Sequence, residues 1–234
     1  ELEVVEEVGI HVGGNPVEPR PPLYYELLFS LDSTVDEYVR PATIIRDGKV
    51  VSVEPLAEVF EFRTWLVNGD FAEFYTDGLS TLIATLPKYF STLRSAYERT
   101  IRWRRHLEVV KILKDLGLLS DFETAKLVLS KSLRPGTNDF SLMVVEAKGR
   151  IGGDYAVVRF EGVDYAQGGF TSMARLTGFT AAVVADLVAR GEVRGEGLTP
   201  IEEAYMRNKA ILSQVMNALR KEGIKIYKTK TAIE

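Results

Sequence analysis

The sequence predicts an α+β fold with a mixed, largely antiparallel sheet and helices on one face. Runs that alternate apolar and polar residues are joined by tight turn dipeptides, Asp47-Gly48 and Gly152-Gly153, which are typical of β-hairpins. Segments with the 3.6-residue period of helices lie between groups of such runs. Consecutive hairpins form antiparallel pairs, so we expect the intervening helices to cover one face of the sheet.

The predicted elements follow this order along the chain. Strands are expected at 2–12 and 23–30, a helix at 34–39, strands at 42–46, 49–54, 59–67 and 71–76, a helix at 79–86, and a strand at 91–103. Helices at 107–116 and 121–133 and a hairpin at 140–148 and 155–165 come next, followed by a helix in 168–191, a helix at 199–222 broken near Arg207, and a strand at 224–228. We expect a main domain at 1–195 and a C-terminal helical segment at 196–234.

Composition excludes several classes of function. The 234 residues are 46% hydrophobic and 26% charged, with a net charge of −4, values typical of a globular chain without the basic excess of a nucleic-acid-binding protein. There is no Cys, which excludes disulfides, thiolate metal sites and a Cys nucleophile. With two His residues, we expect no metal site. We find no signal-peptide pattern and no apolar run of membrane-spanning length, so we expect a cytoplasmic protein without membrane contact.

The stretch 168–191, GGFTSMARLTGFTAAVVADLVARG, organises the chain. Two glycines allow a tight turn, hydroxyl side chains at the helix start can cap free amides, and Gly191 can end the helix. One interpretation is a helix buried in the core. The other is that the glycine turn and the helix start face an anionic ligand.

Three polar residues of the first half have two interpretations each. His11 is either a strand-end residue with one hydrogen bond or a ligand. Arg20 lies in the loop 13–22, GGNPVEPRPP, whose prolines exclude regular structure; it either clamps a carboxylate or is solvated. Asp77, in the Asp77-Gly78 turn, either caps the next helix or belongs to a site.

Five phrases in this order resemble one family: VGGNP with its proline-rich loop, DEYVRPATIIRDGKVVSVEPL, EFYTDGLSTLIATL, ERTIRWRRHLEVVKILKDLGLL, and GGFTSMARLTGFTAAVVADLVARGEVRGEGLTPIE. They are similar to the substrate domain of saccharopine dehydrogenase-like enzymes, and most similar to the lysine 6-dehydrogenase branch. One departure is RWRRH, where Arg104 and Arg105 replace the Pro and Gly usual in the family, while Arg102 and His106 match.

The resemblance implies a function that the residues alone do not. Family members transfer hydride between NAD or NADP and an amino-acid C–N bond, either at the ε-amine of lysine or in forming or cleaving saccharopine. The resemblance also implies a homodimer, a C-terminal segment that packs toward the nucleotide-binding domain, and a Rossmann half that is absent from this chain. No GxGxxG, GxxxxGK[ST] or GxSxG motif is present, so the dinucleotide would be bound mainly elsewhere.

Oxidation of an amine requires a carboxylate clamp and a proton acceptor. Arg20, Arg102 and Arg175 are the candidate substrate-binding residues, since guanidinium groups bind carboxylates through two bonds. His106 is the candidate acid–base residue, and Asp77 is the second catalytic candidate, as a counter-charge for the substrate ammonium.

Thr177 and Gly178 are candidates for contacting the cofactor edge, because a hydroxyl and a bare backbone allow close approach. An alternative from another class is a non-catalytic module that binds an amino acid or mediates dimerisation through strand edges. A binding module needs the arginine clamp without an acid–base residue, whereas a dimerisation module needs exposed apolar sheet surface and neither group.

Overall fold

The computed structural model describes residues 2–233, which contain nine strands and seven helices. The strands are β1 Val4–Pro16, β2 Ala42–Arg46, β3 Lys49–Val53, β4 Val59–Phe62, β5 Phe71–Tyr75, β6 Ser95–Trp103, β7 Asp139–Ile151, β8 Asp154–Tyr165 and β9 Lys225–Ile233. The helices are α1 Leu31–Val39, α2 Leu82–Tyr89, α3 Arg104–Asp115, α4 Phe122–Ser132, α5 Ser172–Ala189, α6 Ile201–Arg207 and α7 Ala210–Lys221.

All nine strands form one mixed sheet in the order β3-β2-β6-β1-β7-β8-β9, with β5 also paired to β6 and β4 to β5. β1 and β6 run parallel, and the other pairs are antiparallel. β6 therefore contacts three strands, β1 on one side and β2 and β5 on the other. This central position places alternate β6 side chains in the middle of each face.

The helices lie on one face of the sheet, which confirms the predicted fold class. Val12, Thr100 and Met143 are opposite one another on β1, β6 and β7 and mark this face. The core between the sheet and α1, α3 and α4 includes the buried Tyr38 and Phe74. α2 packs beside it, α5 crosses β7 and β8, and α6 and α7 contact α2 and α5.

The two predicted hairpins are confirmed. Asp47 and Gly48 have φ of 53° and 73°, the left-handed pair that the twist of a two-residue hairpin turn requires. Gly152 and Gly153 connect β7 and β8 with φ of 58° and 94°. Both turns could be predicted from the sequence because their positive φ angles favour glycine and aspartate at these positions, without any contact to distant residues.

The loop predicted at 13–22 is wrong in its first four residues, since β1 continues to Pro16. A Cβ on Gly13 would lie 2.2 Å from the Ile101 carbonyl oxygen, and one on Gly14 would lie 2.5 Å from the sulfur of Met173. These glycines therefore allow β6 and α5 to approach β1 closely, rather than breaking the strand.

The strand predicted at 23–30 is also wrong. This segment consists of turns with a single bridge, Leu27 to Pro135, although Leu23, Tyr25 and Leu28 are buried. Its apolar side chains fill the core under α1 and α4 without a neighbouring strand to form a ladder. The predicted strand at 59–67 ends at Phe62, because the residues after it form the loop that covers the other face of the sheet.

α5 is not the buried core helix of the first interpretation. Ser172, Arg175 and Leu187 are its buried residues, and most of its Ala and Val side chains are partly or fully exposed. Its 18 residues have a mean hydropathy of 1.3, which by length and composition alone would suffice to cross a membrane, and 17% of them are buried. The expectation that no apolar run reaches this length therefore needs correction.

The C-terminal segment packs on the helices and also adds the last strand to the sheet. Glu202 of α6 accepts hydrogen bonds from Thr81 and Thr85 of α2 at 2.7 and 2.8 Å. α7 packs on α5, and β9 pairs with β8 along nine residues. The break predicted near Arg207 is confirmed, since α6 ends there. A further contact of this segment with a nucleotide-binding domain stays a prediction.

Candidate active site

A cleft of about 630 Å³ lies between α5 and the helix-bearing face of the sheet. Its floor is formed by β1, β6 and β7 and its walls by α5, the last turn of α1 and Phe29. Most of its lining is apolar, including Met143, Met173 and Leu176, whereas Arg102 and Glu37 bring charge to one end. Such an apolar cleft with a few convergent polar groups is typical of ligand sites.

A smaller polar pocket of about 260 Å³ continues this cleft past α1, and the two share Val12, Glu37 and Thr100 as lining residues. Its further charged residues come from α1, the segment after it, β6 and the loop after β5: Asp36, Arg40, Asp77 and Glu98. The cleft therefore has an apolar part and a carboxylate-rich part.

Arg102 and Glu37 form an ion pair where the two parts meet. The Arg102 Nη2 donates to Glu37 Oε2 at 2.5 Å, and the Arg102 side chain is 1% exposed. Its guanidinium also lies 4.9 Å from the centre of the Tyr25 ring. Burial raises the pKa of Glu37 above its usual value, although the charge of Arg102 opposes this effect. The pair thus holds two charges at the edge of the apolar space.

Glu98 precedes Thr100 and Arg102 on the same face of β6 and is 4% exposed. Burial raises the pKa of its carboxyl to about 8, against hydrogen bonds from Thr76 and Thr100 that favour the charged form. The Thr76 hydroxyl donates a short hydrogen bond to Oε2. Glu98 is therefore a buried carboxyl that changes protonation state near neutral pH and lines a pocket.

Asp139 holds the α5 wall in place. It is fully buried, and its carboxylate accepts from the Ser172 amide and hydroxyl, both at 2.6 Å, and from the Met173 amide at 3.2 Å. Thr171 adds a second cap by accepting from the Ala174 amide at 3.1 Å. Free amides at a helix start are satisfied in this way, and the negative charge suits the helix polarity.

Residues 2–224 match the family model described as the saccharopine dehydrogenase C-terminal domain. The chain belongs to the saccharopine dehydrogenase C-terminal domain family. Its fold is similar to that of apo histidine-tagged saccharopine dehydrogenase (L-Glu forming) from Saccharomyces cerevisiae, with a TM-score of 0.75 and 17% sequence identity. The match covers 99% of this chain and 68% of that one. The sequence resemblance to this oxidoreductase family is thus confirmed, and the structural likeness extends over the whole fold.

The cleft brings together three of the residues that the sequence singled out in this family member. Arg102 lies at its charged end, Asp77 in the polar pocket, and Thr177 on the α5 wall. Asp77 does not cap α2, whose N-cap is Thr81; instead it accepts from the Thr43 amide at 3.0 Å and faces Arg40 at 3.5 Å. Its position in the pocket agrees with the site interpretation, and its catalytic role stays a prediction.

The other substrate and cofactor candidates lie outside the lining of this cleft. Arg175 is buried and paired with Asp164 at 2.7 Å, and it donates to the Glu222 carbonyl at 2.8 Å. It therefore ties α5 to β8 and to the end of α7. Arg20 is 74% exposed, pairs with Glu18 and lines a separate surface pocket. Gly178 faces open space on α5. Binding roles for these three residues stay predictions without support from the cleft geometry.

His11 makes the one hydrogen bond of its simpler interpretation, but it lies within β1 and not at the strand end. Its Nδ1 lies 2.6 Å from Glu73 Oε2 on the face of the sheet opposite the cleft, with β1 continuing beyond it. Within residues 2–233 no group of three or more His, Asp or Glu side chains suited to hold a metal ion is found. The absence of a metal stays a prediction for the whole chain.

His106 lies in the core beneath α1, apart from the residues that line the cleft. Its Nδ1 donates to the Leu23 carbonyl at 2.7 Å, its Nε2 lies 2.8 Å from the Tyr38 hydroxyl, and its ring stacks on Tyr25. Because a carbonyl only accepts, Nδ1 carries the proton and Nε2 accepts from Tyr38. Burial lowers the pKa of His106 to about 3, so its ring is neutral and its acid–base role stays a prediction.

This burial predicts a pH dependence of stability. The unfolded chain binds a proton at His106 near pH 6.5, whereas the folded state does so near pH 3. Stability therefore falls as pH drops below 6.5, by about 1.4 kcal/mol per pH unit. Between pH 7 and 5 the natural chain should lose about 2 kcal/mol more than His106→Gln in urea unfolding. An equal loss in both proteins would contradict a neutral, buried His106.

Glu37, Glu98 and Asp139 were not predicted as functional residues. The ERTIRW phrase contained a signal, because Glu98, Thr100 and Arg102 form a polar stripe on one face of a strand whose other face carries Ile101 and Trp103. Such a polar stripe in a central strand indicates a site on that face. Glu37 had no comparable signal, since an acidic residue is ordinary on a short helix.

Proposed function

We propose that this domain supplies the substrate-binding surface of an NAD(P)-dependent oxidoreductase acting on an amino-acid C–N bond, in lysine or in saccharopine. One observation carries the proposal: the cleft joins an apolar wall on α5 to a floor on which Arg102, paired with Glu37, and the buried carboxyl of Glu98 lie on the same face of β6. This arrangement matches a substrate with an apolar chain, a carboxylate and an amine.

Arg102 is the residue that we assign to the substrate carboxylate. Its Nε is buried and has no hydrogen-bond partner among the described residues, while Nη1 and Nη2 are occupied by the Ile101 carbonyl and Glu37. A buried donor without a partner is costly, so a carboxylate that enters the cleft gains by approaching it. Glu37 would then share the guanidinium with the substrate.

The apolar part of the cleft is the part that would hold the nicotinamide ring of the cofactor. The space of about 630 Å³ admits a flat ring, and Leu176 and Thr177 would flank it from α5. The chain has no glycine-rich phosphate loop, so a nucleotide-binding domain of the same gene product would hold most of the dinucleotide. A bound NAD(P)⁺ would supply the hydride acceptor for the carbon beside the substrate nitrogen, and oxidation of the amine to an imine would release one proton.

The lysine 6-dehydrogenase branch is part of the proposal, supported by the ordered phrases of the sequence. The test is to express the natural gene product, measure its mass, and assay reduction of NAD⁺ and NADP⁺ with L-lysine and with saccharopine. Reduction with L-lysine would place the protein in that branch, and reduction with saccharopine would place it with the saccharopine-cleaving enzymes. If neither amine is oxidised and neither cofactor binds, the enzyme function is refuted.

We propose that the partner is a second copy of this chain, forming a homodimer. Exposed aromatic residues on the face of the sheet without helices support this proposal. Trp65 is 63% exposed there and lies 4.9 Å, ring centre to ring centre, from Tyr227, which is 39% exposed. Exposed aromatic pairs are enriched at protein interfaces. Trp65→Glu should weaken association more than tenfold in sedimentation equilibrium, because it places a charge beside Glu161. Leu116→Glu, at the exposed residue that follows α3 on the helix side, is the control, and an equal effect of both changes would contradict this interface.

We place the protein in the cytoplasm as part of the same proposal. α5 is apolar enough to cross a membrane by composition, but Asp139 caps its start and Arg175 ties it to Asp164 on β8. These buried polar contacts support a helix that packs on the sheet. Its exposed side chains would then be covered by another domain of the enzyme.

A further inference from the structure

We propose that Glu98 is the residue that accepts the proton of the substrate amine, in the polar pocket at the end of the cleft. The inference rests on the proposed function and assigns the proton transfer to one carboxylate. In the step, R–NH₃⁺ and the Glu98 carboxylate become R–NH₂ and the Glu98 carboxylic acid. Loss of this proton frees the nitrogen lone pair. The lone pair is needed to form the C=N bond when the neighbouring carbon later loses its hydride.

The geometry around Glu98 leaves one of its carboxyl oxygens, Oε1, without a strong hydrogen bond. Oε2 accepts the Thr76 hydroxyl, and Thr76 and Thr100 hydroxyls lie 2.8 Å apart. Oε1 has a contact of 3.5 Å with Thr100 Oγ1, which is at the limit of a hydrogen bond. A Cβ on Gly78 would lie 2.7 Å from both the Glu98 carboxyl carbon and Oε2, so the loop packs closely against the Oε2 side of the carboxyl and only a glycine fits there.

The charges of the pocket suit a cation. Asp36 and Glu37 face it from α1, and Asp77 faces it from the loop after β5. Against these carboxylates stand Arg40, paired with Asp36 at 2.5 Å, and Arg102 on the same strand as Glu98. With Glu98 the carboxylates number four against two guanidinium groups. An ammonium group therefore offsets part of the excess negative charge of the pocket, whereas an anion would add to it.

The protonation of Glu98 is matched to the task. Its pKa of about 8 is set mainly by burial, with Glu37 raising it and Arg102 lowering it. An ammonium ion in contact stabilises the carboxylate and lowers this pKa. Glu98 is then charged when the substrate binds and regains a proton as the amine becomes neutral. A carboxyl whose pKa lies near the working pH is suited to such transfer.

The first experiment observes Glu98 directly, without cofactor or turnover. The chain is labelled with [5-¹³C]glutamate, and its carboxyl signals are titrated by NMR from pH 5 to 10. We expect one signal with a midpoint near 8 that is lost in Glu98→Gln and moves to lower pH with L-lysine or saccharopine but not with L-norleucine. A Glu98 midpoint that neither amine moves would overturn the proposal. Glu58→Gln, at an exposed carboxylate, is the labelling control.

The second experiment uses the natural full-length gene product and its preferred amine. Glu98→Gln should lower kcat by 100-fold or more and remove the acid limb of the kcat/KM profile, with a smaller change in KM. His106→Gln should keep that limb. Loss of the limb in His106→Gln but not in Glu98→Gln would assign the proton to His106 instead. If the natural enzyme oxidises neither amine, the proposed function fails, and the NMR shift with amine still decides whether Glu98 binds the ammonium.

Discussion

Glu37→Ala should destabilise this domain by about 3–5 kcal/mol, because it leaves the Arg102 guanidinium buried without its partner charge. Arg102 is 1% exposed and donates to Glu37 at 2.5 Å, so its guanidinium has little contact with solvent that could offset the lost carboxylate. The measurement is urea unfolding at pH 7, followed by circular dichroism. The double variant Glu37→Leu with Arg102→Met should regain most of the loss, since two apolar side chains need no compensation.

Asp36→Ala is the matched control for this prediction. Asp36 precedes Glu37 on α1 and pairs with Arg40 at 2.5 Å, but the Arg40 side chain is 55% exposed. Exposed pairs contribute about 0–1 kcal/mol, so this variant should unfold close to the natural chain. If Glu37→Ala and Asp36→Ala lose equal stability, the Arg102 pair is not the buried, dependent interaction described above.

Asp139→Ala should cost about 3 kcal/mol of unfolding free energy, since three donors at the start of α5 lose a charged acceptor. Ser172 is fully buried beside it, so its amide and hydroxyl cannot turn to solvent. Urea unfolding gives the magnitude, and amide hydrogen exchange shows where the loss acts. We expect faster exchange along α5 than along β1, because the cap anchors the helix rather than the sheet.

Thr171→Ala is the comparison at the same helix start. Its hydroxyl accepts one amide, that of Ala174, and a lost neutral cap costs about 1 kcal/mol. A larger loss in Thr171→Ala than in Asp139→Ala would show that the buried carboxylate is not the main anchor of the cleft wall.

The sequence predicted well wherever the signal was local. The Asp47-Gly48 and Gly152-Gly153 turns, the helix that Thr171 caps, and the break after Arg207 each depend on residues within one turn of the backbone. It failed at 23–30, where apolar side chains indicated a strand but no neighbouring strand exists. It failed at Gly13 and Gly14 because close approach of β6 and α5 is a property of the packed fold.

The site was predicted in part for the same reason. Arg102, Asp77 and Thr177 came from sequence and line the cleft, whereas Glu37, Glu98 and Asp139 emerged from the structure. Arg175 shows the converse case. Its position near a helix start suggested that it binds a ligand. In the structure, Asp164, which lies opposite Ser141 in the β7–β8 register, forms an ion pair with the Arg175 guanidinium instead.

By itself the sequence determined the fold class, the order of its elements apart from the strand predicted at 23–30, and the membership of the saccharopine dehydrogenase C-terminal domain family. Hydrophobic periods, turn residues and ordered phrases are local features of the chain and need no tertiary contact to be recognised. The tertiary structure alone decided which charges meet. Glu37 and Arg102 are 65 residues apart, and Asp139 and Ser172 are 33 apart. Such pairs depend on strand register and helix packing, which bring distant residues together in a low-dielectric interior. Loss of one partner there costs several kcal/mol of unfolding free energy.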